Sequence, residues 1–145
     1  MHREAFRWPV CRMLGILSLL FWTGCIAGNH DGRTEVRGSV VMDDLPLATG
    51  KITLIPVGEG VAAGGDIVNG TYHIPPDIGP TPGDYLVEIY SFAAIGKKRK
   101  DTLGNAMVDI PENIIPECYN SKTKLRVTIA DQSNKHDFAL ASDAS

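Results

Sequence analysis

An all-β fold, an antiparallel β-sandwich of about seven strands, is what this 145-residue sequence predicts. Three observations carry the expectation. Downstream of residue 25 the apolar residues recur at every second position in short runs, the period of a strand with one buried face. Turn-forming clusters separate those runs, and the chain holds 15 glycines and nine prolines. No segment past the N-terminus repeats its apolar residues at the helical period of 3.6. Strands with one apolar face each need a second sheet to cover them, and an antiparallel sandwich is the simplest solution.

The elements follow in order. Thr34–Met42 reads as a first strand with Val36, Gly38, Val40 and Met42 on one face, and Asp43-Asp44-Leu45-Pro46 as the turn that ends it. Gly50–Val57 is a second strand with Ile52 and Leu54 sharing a face, closed by Pro56. Gly58–Gly65 reads as a loose link. Asn69-Gly70, flanked by Asp66–Val68 and Thr71–Ile74, is the strongest short hairpin signal, with Tyr72 and Ile74 inward and His73 outward. After the proline-rich 75–82 loop, Tyr85–Tyr90 gives the cleanest alternation, with Tyr85, Val87 and Ile89 inward. Residues 93–116 show no steady alternation and are expected to form a long, mobile loop at one end of the sandwich, with Ile114 and Ile115 pinning its return. Lys122–Ala130 alternates again (Leu125, Val127 and Ile129 inward), and Lys135–Leu140 closes the domain with Phe138 and Leu140. The tail 142–145 is expected to fray.

The N-terminus is read as a targeting segment. Arg3, Arg7 and Arg12 precede an uncharged run, Met13–Trp22, then Thr23-Gly24-Cys25. A positive start, a short apolar core and small residues before a cut make a secretory signal peptide, and the run is shorter than the roughly 20 residues a spanning helix needs. A cysteine directly after the small pair resembles the lipobox of bacterial lipoproteins, where the new N-terminal cysteine is acylated; Trp22 stands where leucine is usual. The expected division is a signal peptide over 1–24, a tether over 25–33, a sandwich over 34–141 and the tail. The protein would then be anchored to a membrane by lipid on Cys25, facing the cell envelope. The alternative is a soluble exported protein cut nearby, after Ala27 for example.

Without residues 1–24 the chain keeps 11 basic and 16 acidic residues, a net charge of about −5. That balance argues against nucleic acid as a partner, which requires a basic footprint. Cys11 leaves with the signal, Cys25 would carry lipid, and Cys118 stands alone unless an unlipidated Cys25 pairs with it.

The stretches VRGSVVMDDLPLATGKITLIPV, NGTYHI and PGDYLVEIY together resemble the carboxypeptidase regulatory-like domain, a transthyretin-like (prealbumin-like) sandwich. ENIIPECYNSKTKLRVTI, from Glu112 to Ile129, and the closing His136–Leu140 are similar to segments of small lipoproteins in planctomycete-type bacteria. The resemblance implies a Greek-key sandwich and an envelope location, and implies little about chemistry.

No catalytic constellation, cofactor or metal site is expected. His30, His73, Cys118 and His136 are scattered, without HxxxH or CxxC spacing. Asp43, Asp44 and Asp66 lack the spacing of a calcium loop and read as turn residues. Ser39 and Ser91 do not stand on a G-x-S-x-G elbow. Of the sandwich enzymes related to the family, hydroxyisourate hydrolase ends in Tyr-Arg-Gly-Ser where this chain has Phe-Ala-Leu-Ala-Ser, and the tyrosine and histidine iron ligands of intradiol dioxygenases are not supported by adjacent Tyr72 and His73, which point to opposite faces. A non-enzyme is expected. Two features remain for binding: the basic run Lys97, Lys98, Arg99 and Lys100, a candidate contact for anionic lipid or polysaccharide, and the corner Tyr119-Asn120, more naturally a packing site. The expected role is a binding or assembly module with a protein or polysaccharide partner in the envelope, or else a structural component there.

Overall fold

The computed structural model describes residues 32–104 and 106–144. The signal segment, Cys25, His30 and most of the tether lie outside the described residues. The elements are β1 (Val36–Met42), β2 (Leu45–Pro46), β3 (Thr49–Pro56), β4 (Ala63–Val68), β5 (Thr71–Ile74), β6 (Gly83–Tyr90), β7 (Phe92–Lys100), β8 (Met107–Asn113), a single 3₁₀ turn (Glu117–Tyr119), β9 (Arg126–Ile129), β10 (Asn134–Lys135) and β11 (Phe138–Leu140). No helix among the described residues is long and apolar enough to cross a membrane.

One sheet runs in the order β10-β1-β5-β4-β3-β6-β9, with β2 and β11 also on β1. It curls into a sandwich around a single core. Seven strands give that core residues: Val36 and Val40 from β1, Ile52 and Leu54 from β3, Ala63 and Ile67 from β4, Tyr72 and Ile74 from β5, Tyr85, Val87 and Ile89 from β6, Ile129 from β9 and Leu140 from β11. Burying each such aliphatic side chain contributes about 1.5–3 kcal/mol. The pairing is antiparallel with one exception: β10 and β11 run parallel to β1, Val36 opposite Asn134 and Val40 opposite Phe138.

Two tight turns set the register. Asn69 (φ 50°) and Gly70 (φ 74°) form the two-residue turn between β4 and β5, and Asp43 (φ 50°) and Asp44 (φ 64°) do the same between β1 and β2. Left-handed residues in both central positions match the twist of the flanking strands, which is why Asn-Gly and aspartates serve there.

Three expectations need correction. Residues 93–116 are not a loop: β7 and β8 pair as an antiparallel hairpin with a bulge between Ala94 and Lys98. The alternation is absent from the sequence because neither face of this hairpin packs on the core. Within the 58–65 link, Ala63–Gly65 already belong to β4. The strand read over Lys122–Ala130 shrinks to Arg126–Ile129, and Leu125 packs on the core from outside it. The domain margins are also held. Arg33 Nη1 donates to Gly79 O (3.0 Å), and Ser142 N donates to Asp43 Oδ1 (3.0 Å).

The sandwich has two distinct ends. At the first, Thr34 N donates to Pro80 O (2.8 Å), and buried Asn134 reaches Thr34 Oγ1 (3.2 Å). At the second lie the Asp43-Asp44 and Asn69-Gly70 turns, the end of β6 and the C-terminus, where Tyr119 Oη accepts from Ala141 N (3.1 Å). The entering chain therefore meets the domain at the end opposite to the one from which β7 departs.

Gly38 makes the parallel closure possible. A Cβ there would stand 1.7 Å from His136 O, the carbonyl of the residue between β10 and β11. The same carbonyl accepts from Tyr72 Oη (2.8 Å). Gly38→Ala is expected to destabilise the domain by at least about 2 kcal/mol, because the clash is with backbone rather than with a movable side-chain end. Gly58, with open space around its Cα, is the control: Gly58→Ala should leave the chemical-denaturation midpoint unchanged or slightly raised.

Candidate functional site

Three surfaces stand out by their geometry. The first is a trough of about 1130 Å³ on the outer face of β10, β1, β5, β4 and β3. Its floor is low because Gly64, Thr53, Thr71 and Ser39 stand in its middle, and its rim carries longer charged side chains. Those charges satisfy one another. Glu35 Oε1 lies 3.1 Å from His73 Nε2 and 3.7 Å from Arg37, Lys51 meets Asp66 at 2.7 Å, and Lys135 meets Asp137 at 3.2 Å. Asp137 also accepts from Ser39 N and Ser39 Oγ, both at 2.8 Å, and these bonds hold its carboxyl below the usual carboxylate range. Three carboxylates face three cations, so the trough has no net field with which to draw an ion.

A smaller groove, about 290 Å³, lies where β7 leaves the sandwich, between Gly50, Lys51 and Asp66 on one side and Tyr90, Ser91 and Phe92 on the other. The Tyr90 and Phe92 rings are parallel within 3°, their centroids 6.3 Å apart. Ser91 anchors the root: its hydroxyl donates to Thr49 O (2.7 Å), its N–H to Asn113 Oδ1 (3.1 Å), and its carbonyl accepts from Ile114 N (2.8 Å).

The third surface is the β7–β8 arm. Among the described residues from Phe92 to Asn113 none is buried, and none belongs to the core cluster. The predicted contact residues Lys97, Lys98, Arg99 and Lys100 all lie on β7 and are exposed. The fold brings the run opposite the carboxylates of β8, with Lys97 2.5 Å from Glu112 and Lys98 3.8 Å from Asp109. Pairing across two strands was invisible in the sequence because it depends on the hairpin register. The apolar side chains of the arm also went unread as a feature: Phe92, Ile95, Leu103, Met107 and Val108 are all exposed. Their signal was present as apolar residues flanking the basic run on both sides, in a segment lacking any core-facing period.

The remaining candidates resolve into structural roles. Asn120 is buried and donates to Pro116 O (2.9 Å) and Ile115 O (3.1 Å), while Tyr119 packs on the core; this corner is no recognition surface. Of the two residues expected to pin the return, Ile115 is buried and Ile114 is exposed. Cys118 is a free, half-buried thiol. Among the described residues no three His, Cys, Asp or Glu side chains gather as a metal site. His136 is half-buried, and its Nε2 has no partner among the described residues. Desolvation pushes this imidazole below the ordinary histidine range, against the pull of Asp137.

Two outcomes are expected. Asn120→Ala should cost about 2 kcal/mol, since the carbonyls it serves are left unpaired, and its loss should loosen the return of β8. The unfolded chain binds a proton at His136 more readily than the folded one. Stability is therefore complete well above the unfolded histidine value of 6.5 and declines as the pH falls through it toward the lowered folded value. The decline in melting temperature over that window should be smaller in His136→Leu than in the parent.

Compared with models of known families and with curated proteins, the chain matches none.

Proposed function

We propose that this chain is a non-catalytic β-sandwich module of the bacterial cell envelope, exported, anchored through lipid on Cys25, and engaged with its partner through the β7–β8 arm. The observation that carries the reading is the arm itself. It is a paired hairpin of about twenty residues outside the hydrophobic cluster, with exposed apolar and basic side chains. An isolated two-stranded hairpin adds little stability, and exposed apolar groups on such an element mark contact surfaces. The trough supports a non-catalytic role: its polar groups are engaged with one another, His73 being partnered by Glu35 and the hydroxyl of Ser39 by Asp137 rather than by the imidazole. The Met13–Cys25 segment and the resemblance to small lipoproteins support the anchored location.

The test has two parts. The N-terminal peptide of the processed protein should carry acyl groups on Cys25, and Cys25→Ala should move the protein out of the detergent phase; a variant that still partitions like the parent sinks the anchor. Replacing Lys97, Lys98, Arg99 and Lys100 together by serine should leave the melting temperature nearly unchanged, as for exposed side chains with weak surface pairs. It should reduce association with anionic surfaces at low salt by about tenfold or more. Unaltered association would remove the arm from the contact.

A further inference from the structure

The geometry of the arm points to an anionic lipid bilayer as its partner, entered by the tip around Leu103; this rests on the reading of the arm as the contact element. The tip is a tight turn closed by Asp101 N donating to Ala106 O (2.8 Å), with Gly104 at φ +72°. Leu103, at its apex, is 80 % exposed. Behind it come Met107 and Val108, opposite Lys100 and Arg99 in the ladder, with Lys98 one pair further back. Leu103 leads, and Met107 and Val108 stand level with the cations just behind it, so the tip would meet hydrocarbon while the flanking cations meet phosphate headgroups.

Other occupants fit less of this. A soluble polyanion would engage the cations and leave Leu103, Met107 and Val108 in water. A protein strand added to the hairpin needs a free edge, and both edges are spoiled: Pro111 has no N–H to give on β8, while β7 carries four consecutive basic residues and a bulge. These are the devices that prevent edge-to-edge pairing, and they disfavour a second copy as well. The chain can also reach. Residues 25–33 extend to about 30 Å at most, and the eight residues of β6 run about 26 Å from the entering end to the arm end. With the sandwich lying along the membrane, lipid at Cys25 and the arm tip can sit in one bilayer, a two-point attachment.

The experiment uses the full chain with Leu103→Trp, read against the parent, whose only tryptophans are Trp8 and Trp22. Both are mixed with vesicles of phosphatidylcholine alone or with phosphatidylglycerol, carrying brominated acyl chains. Added quenching at position 103 in phosphatidylglycerol vesicles is expected, falling about tenfold or more when Lys97, Lys98, Arg99 and Lys100 are serine. No added quenching while the protein is vesicle-bound would overturn the proposal, as would binding of a soluble sulfated polysaccharide that leaves position 103 unquenched in vesicles. The same measurement on Cys25→Ser separates the two readings. Quenching retained in that variant means that the arm holds without the anchor, and a parent that carries no acyl group on Cys25 then overturns the anchor alone; an acylated parent without added quenching overturns the arm alone.

Discussion

The sandwich depends on a close approach between two backbones. The C-terminal strand returns parallel to β1, and its carbonyl at His136 passes over Gly38 where a side chain would otherwise project. That carbonyl is received by the hydroxyl of Tyr72, whose ring lies 6.3 Å from that of Phe138. Because β10 pairs before the crossing and β11 after it, the approach fixes the register of the last strand on both sides. Leu140 is thereby carried into the core and the chain end brought beside Asp43 and Tyr119. Parallel pairing of chain ends is a long-range contact, costly in loop entropy until the intervening strands are in place. The closure therefore gains from the intervening strands being in place, and among the described glycines Gly38 leaves the least room for a side chain.

Everything that the closure stabilises lies within the sandwich, and the arm lies outside it. Its root is tied by Ser91, Asn113 and Asn120 to the ends of β3 and β6, so its position is fixed even though its own burial is slight. Such a division frees the arm's side chains from packing demands, and they are an unusual mixture for a solvated hairpin: exposed apolar groups, four cations in a row, and carboxylates that neutralise some of them. The partial neutralisation bears on specificity. Lysines already bridged to β8 add less to nonspecific attraction, leaving apolar contact to decide which surface holds the arm.

The strands with one buried face were legible because period-two alternation is the direct imprint of burial. Tyr85, Val87 and Ile89, and Tyr72 with Ile74, are inside as that pattern implies, and Asn69-Gly70 forms its two-residue turn. What the sequence could not display is structure stabilised without a buried face. β7 and β8 pair through backbone hydrogen bonds and ladder ion pairs, neither of which leaves a period in the apolar residues, so the segment resembled a loop. The parallel course of the last strand was hidden for a related reason: Gly38 fits an inward-facing strand position equally well whether its gap is filled by a side chain or by a crossing backbone. The basic run was legible as a charge feature, but its partial pairing with Glu112 and Asp109 required the register.

The molecule divides into a sandwich with its own core and an arm whose described residues lie outside that core. Native-state amide hydrogen exchange tests this most directly, since it reads opening free energies element by element. In the free protein the paired amides of β7 and β8 should exchange through local opening, at least about a hundredfold faster than those of β1 and β6, which should share the protection of global unfolding. Protection of the arm amides equal to that of β6 would contradict the account, because the arm would then belong to the same cooperative unit as the core.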